Sequence, residues 1–261
     1  MHTGDINAII GLLQERGCPM NQVIQQLKDR KSVRVFTDRP ITAEEETAIL
    51  EAAVNAPTAG NQQMYTIIKV TDQALKEQLA ESCDHQPFIA TAPLVLVFCA
   101  DCRKWYNAFL KFDCEPRKPG AGDLLLAVSD TNIAAQNAVV AAHSLGIGSC
   151  YIGDIMENAE QHRQMLSLPE YVFPAAMLVF GYPTQQQLER PKPPRADMHH
   201  IVHENSYRDM DAKELEEMFA NKTSNRPFTE WLQAFCKRKY NSEFAKEMSR
   251  SVEVFLKDFQ E

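Results

Sequence analysis

Between Leu124 and Leu145 apolar residues occupy nearly every side of a helical projection: Leu124, Leu125, Leu126, Val128, Ile133, Ala134, Ala135, Ala138, Val139, Val140, Ala141 and Ala142. A surface helix carries one apolar stripe, whereas a helix that is apolar all round must be buried all round. A chain of 261 residues can form one large domain or two small ones with a substantial core. In a chain of that size the pattern demands a central helix, and one that a second subunit can share. Gly146 follows as a C-cap.

The remaining elements must wrap this helix. The sequence predicts strands over Tyr65–Val70, Leu94–Ala100, Ile147–Asp154 and Ala175–Gly181. The second is a continuous apolar run between Pro93 and Asp101, as expected of a strand buried on both faces. Helices are predicted from Asn21, a plausible N-cap, to Arg30, and from Thr42 through Ala53, where Thr42 and Glu45 have capping-box spacing and Pro57 forms the stop. Others span Gln73–Ser82 and Ala159–Leu166, with a helical tail over Asp211–Ala220, Thr229–Lys239 and Ser242–Phe259. Residues 1–20, with an amphipathic stretch at Asn7–Arg16, read as an N-terminal extension.

Charge and composition exclude several roles. The net charge of −8 argues against general nucleic-acid binding but leaves room for a small basic pocket. No run approaches the roughly 18–20 apolar residues of a membrane span, and the N-terminus lacks signal-peptide features, so no membrane partner is expected. Seven cysteines without small-scaffold spacing suggest reduced thiols and a cytoplasmic protein.

Cations gather where function is expected. Arg30-Lys31-Ser32-Val33-Arg34-Val35-Phe36 sets three cations and a hydroxyl directly before an apolar pair. Guanidinium forks and a hydroxyl suit a phosphate, although the stretch taken alone favours a solvated basic helix end. Pro57-Thr58-Ala59-Gly60-Asn61-Gln62-Gln63 offers small residues and amides suited to a polar heterocycle, or forms a plain turn. Glu189-Arg190-Pro191-Lys192-Pro193-Pro194-Arg195 is a second, proline-stiffened cationic loop, and Asn221–Pro227 a third. Residues 103–122 read either as a mobile lid of aromatics or as an ordinary helix and loop. Cys99-Ala100-Asp101-Cys102 has redox or half-zinc-site spacing, but Cys99 falls inside an apolar run, which favours a core role. His199, His200 and His203 raise a metal site, with structural or exposed histidines the favoured reading. No metal is expected. No Ser-His-Asp, HExxH or P-loop pattern is present.

Taken together and in order, these segments resemble the FMN-dependent nitroreductases. The resemblance rests on Arg30-Lys31-Ser32-x-Arg34, Ala56–Gln63, the long buried helix, Leu145–Gly153, and the late Pro-x-Arg195. The tail Val202–Tyr207 with its helical extension is closest to the branch of NADPH nitroreductase A and flavin reductase P. The resemblance implies an α+β fold: a central mixed β-sheet wrapped by helices, in an intertwined homodimer. It also implies an FMN-binding domain over residues 21–210 and a helical extension over 211–261 that packs on the dimer.

By position, Arg30, Ser32 and Arg195 would hold the FMN phosphate, Lys31 would lie along the ribityl chain, and Arg34 would face flavin N1. Pro57, Thr58, Ala59, Asn61 and Gln63 would come from the second subunit. Gln86 and the backbone at Ile152, Gly153 and Asp154 would meet the ring, the latter three near N5. Lys222 would read the NADPH 2′-phosphate. Two positions depart from the family pattern: Pro193 stands where a lysine is usual, leaving Lys192 as a substitute, and Thr58-Ala59 stand where many relatives have two serines. The implied activity is ping-pong two-electron reduction of a small planar acceptor (a nitroaromatic, quinone or free flavin) by NAD(P)H, with no catalytic side chain beyond Arg34 as an electrostatic stabiliser. A non-catalytic flavin-binding protein and a flavin-supplying or dehalogenating relative are the alternatives.

Overall fold

The computed structural model describes residues 21–223 and 226–260. The extension over residues 1–20, with its predicted helix, lies outside the described residues. In chain order the elements are α1 (Gln22–Asp29), α2 (Ala43–Val54), β1 (Tyr65–Val70), α3 (Gln73–Ser82), α4 (Phe88–Thr91), β2 (Leu94–Asp101), α5 (Arg103–Lys111), α6 (Ala121–Ser144), β3 (Gly148–Ile152), α7 (Ala159–Met165), β4 (Val172–Gly181), α8 (Gln185–Glu189), α9 (Ala212–Phe219), α10 (Phe228–Lys239) and α11 (Glu243–Leu256).

The sheet has the order β1-β2-β4-β3, and every pairing of these strands is antiparallel. Among the described residues, the parallel component of the expected mixed sheet is the single bridge Ser32↔Ser149. β2 and β4 occupy the centre and bury every residue, which is why both read as unbroken apolar runs.

α6 lies across one face of the sheet. Ala134, Ala135, Ala138, Val139 and Ala142 have no exposure, and they share a cluster with Leu96, Phe98, Leu178 and Phe180. The small residues let the helix axis approach the sheet closely. α6 is also long and apolar enough to cross a membrane by length and composition, but here it is packed between α2 and the sheet. The prediction of burial on all sides holds only in part within one chain: Leu125 is 68% exposed, and Leu126 and Ile133 are also open.

The opposite face packs on α3, α7 and α11. Phe255 of α11 has no exposure and meets Phe173 edge-on at 5.2 Å. Burying such a ring contributes about 2–3 kcal/mol. α11 is thus part of the body, whereas α9 and α10 bury no residue fully. The predicted caps form: Thr42 and Glu45 make a reciprocal capping box, and Asn21 accepts from the Val23 amide. The stretch 103–111 is an ordinary amphipathic helix.

Candidate functional site

Residues 30–37 leave α1 as extended chain and dock against two strand ends at once. The Val33 amide donates to the Ser149 carbonyl at 2.9 Å, the Thr37 amide to the Tyr182 carbonyl at 2.8 Å, and the Thr184 amide to the Val35 carbonyl at 3.3 Å. This docking depends on two paired glycines, Gly148 of β3 and Gly181 of β4. A Cβ on Gly148 would stand 2.6 Å from Val33 Cγ2, and one on Gly181 would stand 2.6 Å from Phe36 Cδ1. Only the absence of a side chain lets the segment lie this close.

Extended backbone alternates its side chains, so Arg30, Ser32 and Arg34 share a face. All three lie beside Cys150 of β3: burial pushes the Cys150 thiol up, while Arg34, Ser32 and Arg30 pull it back. The Arg30 guanidinium sits 5.9 Å over the Tyr151 ring, and its Nε and Nη2 are buried without a partner among the described residues. Arg34 donates its amide to Gln187 Oε1 at 3.2 Å and places its guanidinium 6.0 Å from the Phe88 ring centre.

The second cationic loop returns to the same place. Burial, then the charges of Arg195 and Arg30, hold the Lys192 ammonium below its ordinary value, so these three cations are neighbours. Lys192 Nζ donates to the Lys28 carbonyl at 2.6 Å, closing the C-terminal end of α1. Lys31 is committed elsewhere, donating to the carbonyls of Leu188 (2.7 Å) and Arg190. Arg190, to which the resemblance assigns no role, donates to the Ser32 carbonyl and keeps a buried Nε without a partner among the described residues. Its place inside the cationic loop was the only signal available.

Arg195 is exposed, and among the described residues its guanidinium donates only to the Pro193 carbonyl, at 2.9 Å. It lines a cavity of about 540 Å³ together with Lys222, and Asn221 Nδ2 donates to the Arg195 carbonyl at 3.2 Å. Gln86 donates to the Cys83 carbonyl at 2.8 Å and also reaches Asp154. Asp154 follows Ile152 and Gly153 at the end of β3, and burial raises its carboxyl. Three residues on, burial and then the charges of Asp154, Asp84 and Glu247 push the Glu157 carboxyl up to about 7.

The loop over Pro57–Gln63 is built from the other direction. Asp130, almost fully buried in α6, accepts from Thr58 Oγ1 and from the Ala59 amide at 3.0 Å. Thr58 Oγ1 then accepts from the Gln63 amide at 2.8 Å, while Gly60, Asn61 and Gln63 take left-handed backbone. Trp105 Nε1 donates to the Gln62 carbonyl at 2.8 Å, which ties α5 to the loop. Sequence reading missed Asp130, because a lone polar residue within an apolar helix does not reveal its distant partner.

The structure does not bring this loop to the cationic cluster within one chain. It leads into β1, whereas residues 30–34 dock on β3, and these are the two edges of the sheet. Three strand spacings separate them, about 14 Å. Tyr65 is level with Ala100 and Phe173, whereas Ser149 is level with Phe180, so the two also differ by seven residues along β4. That adds about 23 Å along the strand direction.

The CxxC reading fails. Cys99 is fully buried in β2 and Cys102 nearly so, and burial pushes both thiols up to about 12. Such thiols are inert.

The sequence profile of the nitroreductase family matches residues 27–182. The oxygen-insensitive NADPH nitroreductase of Salmonella typhimurium is 38% identical over 196 residues, which is 75% of this chain and 79% of that protein. The FMN reductase [NAD(P)H] of Bacillus subtilis is 36% identical over 184 residues, 69% of this chain and 74% of the relative. Among solved structures, the NADPH:FMN oxidoreductase of Vibrio harveyi complexed with NAD+ superposes with a TM-score of 0.76 at 26% identity, covering 90% of this chain and 98% of that one.

Proposed function

The chain belongs to the nitroreductase family, and from that premise we propose that it is an FMN-dependent NAD(P)H oxidoreductase that reduces small planar acceptors by two electrons. The observation that carries this reading is the set of buried guanidinium nitrogens at Arg30 and Arg190 that have no partner among the described residues. A guanidinium cannot shed its charge, so nitrogens held out of water in this way fit a phosphate monoester.

Arg30, Ser32, Lys192 and Arg195 hold that phosphate, with Arg190 as an added donor. Lys31 shapes the site indirectly, by fixing the carbonyls of Leu188 and Arg190. Arg34 stands by the ring edge as a fixed positive charge where negative charge develops on reduction. Gln86 and the backbone of Ile152, Gly153 and Asp154 face the ring. When bound, FMN supplies the hydride chemistry. The protein positions NAD(P)H and then the acceptor in turn, which gives ping-pong kinetics. Lys222 receives the NADPH 2′-phosphate end in the cavity that it shares with Arg195.

A second copy of the chain completes the site. The loop Pro57–Gln63 lies at the far edge of the sheet from Arg30–Arg34, so one chain presents only half of the ligand set. The open Leu125, Leu126 and Ile133 of α6 supply an apolar face for that copy. Residues 21–210 form the cofactor domain, and within the extension over 211–261 the elements α9 and α10 lie against the second chain. The free thiols accord with a cytoplasmic setting.

The test is an absorption spectrum of the purified protein, before and after anaerobic NADPH. Flavin bands that bleach are the expected result. Flavin bands that persist would indicate a binding protein without reductase activity, and failure to take up added FMN would overturn the assignment of Arg30, Ser32 and Arg195.

A further inference from the structure

Just beyond Arg195, the chain makes a short 3₁₀ turn, Met198–His200, opened by Asp197. The His200 amide donates to the Asp197 carbonyl at 3.1 Å, which draws the two residues onto one side of the turn. One ligand-competent atom each from Asp197, His199 and His200 lies within 4.8 Å of the other two. The two imidazole rings are 3.8 Å apart between centres.

A second observation is independent of this clustering. His200 is only 5% exposed, and neither of its ring nitrogens has a hydrogen-bond partner among the described residues. Buried polar side chains are almost always paired. An imidazole nitrogen without a hydrogen-bond partner is a ready ligand for a metal ion.

We propose that Asp197, His199 and His200 bind a divalent transition-metal ion of the zinc class. The donor set is two imidazoles and a carboxylate with no thiolate, which suits zinc and its borderline neighbours over calcium or magnesium. Zinc–ligand bonds of about 2.0–2.1 Å place tetrahedral donors roughly 3.4 Å apart. Reaching that spacing from separations of up to 4.8 Å requires a small rotation of Asp197 and His199. Both are exposed and free to turn, while His200 is fixed by packing. Three protein ligands leave a coordination position for water. An ion here would clamp the end of the loop that carries Lys192 and Arg195. The site stands on its own residues and does not depend on the flavin assignment.

The probe is zinc(II), titrated calorimetrically into the full-length protein. The expected result is one saturable site per chain. Asp197→Asn and His199→Asn, both at exposed positions, each weaken it tenfold or more and leave the melting temperature of the metal-free protein unchanged. Replacing the exposed thiols, Cys114→Ser with Cys236→Ser, leaves it intact. Absence of a saturable site overturns the proposal. So does a site that survives both Asp197→Asn and His199→Asn but disappears with the cysteines.

Discussion

Arg30 and Glu157 both lie by β3, Arg30 beside the strand at Tyr151 and Glu157 in the turn that follows it. Each holds polar atoms out of water without a partner among the described residues: Nε and Nη2 of Arg30, Oε1 of Glu157. An uncompensated buried charge costs several kcal/mol, yet the two groups escape that cost differently. The Glu157 carboxyl keeps its proton, its pKa pushed up to about 7 by burial and the carboxylates around it. Arg30 has no such exit, because guanidinium stays protonated at any relevant pH. On the proposed reading, the FMN phosphate meets that charge.

Arg250 shows the saturated case. It forks onto Glu160 with two bonds of 2.8 Å and meets Glu247 at 2.8 Å, and these bonds hold both carboxyls down to about 2. Arg250 has its carboxylate partners within the chain and Arg30 has none among the described residues, where sequence shows only two arginines.

The strongest way to break this comparison is Arg30→Ala. FMN affinity should fall by about 2 kcal/mol or more, the worth of charge-assisted hydrogen bonds. The apoprotein should melt no lower than wild type, since the Arg30 side chain has no hydrogen bond to lose among the described residues. An apoprotein that loses stability while FMN affinity stays constant would make Arg30 structural, like Arg250.

Asp130→Ala should come next. It leaves Thr58 Oγ1 and the Ala59 amide without their acceptor, at a cost of about 1–3 kcal/mol. Because the Thr58 hydroxyl also orders Gln63, FMN affinity should fall as well, measured by flavin fluorescence. An equal loss of thermal stability with FMN binding intact would confine Asp130 to the fold.

A smaller effect isolates Glu157. Its folded pKa lies above the unfolded value, so between about pH 4.5 and 7 the native state holds a proton that the unfolded chain has released. Stability contributed by this group is full below the unfolded pKa and is lost as pH rises toward 7. Denaturant titrations at pH 5 and pH 8 should show wild type losing more stability across that interval than Glu157→Gln. Identical losses would show that another group neutralises Glu157. The smallest effect is expected for Arg250→Ala: a slight drop in melting temperature, as for an exposed ion pair, with FMN affinity unchanged.

How much of this was legible in the chain depended on the range of the interaction. Thr42, Glu45 and Asn21 announced their helix starts because capping is settled within three residues. β1 and α3 fell on the predicted residues, since period and breakers are local signals. The Cys99-x-x-Cys102 spacing alone could not decide reactivity, which depends on surroundings; the apolar run around Cys99 pointed to the core, where both thiols are buried. Lys31 resembled its neighbours as a cation, yet its ammonium is spent on the carbonyls at the end of α8.

The sequence by itself determined the central helix, the four strands and the cationic segments at 30–34 and 190–195, because each is written in residues close along the chain. Only the tertiary structure decided that Asp130 holds Thr58 across 72 residues and that Gly148 makes room for Val33. It alone set Pro57–Gln63 at the opposite sheet edge from Arg30–Arg34. Those outcomes follow from strand order and close packing, which join residues far apart in the chain, and no local pattern of residue types encodes which of them will meet.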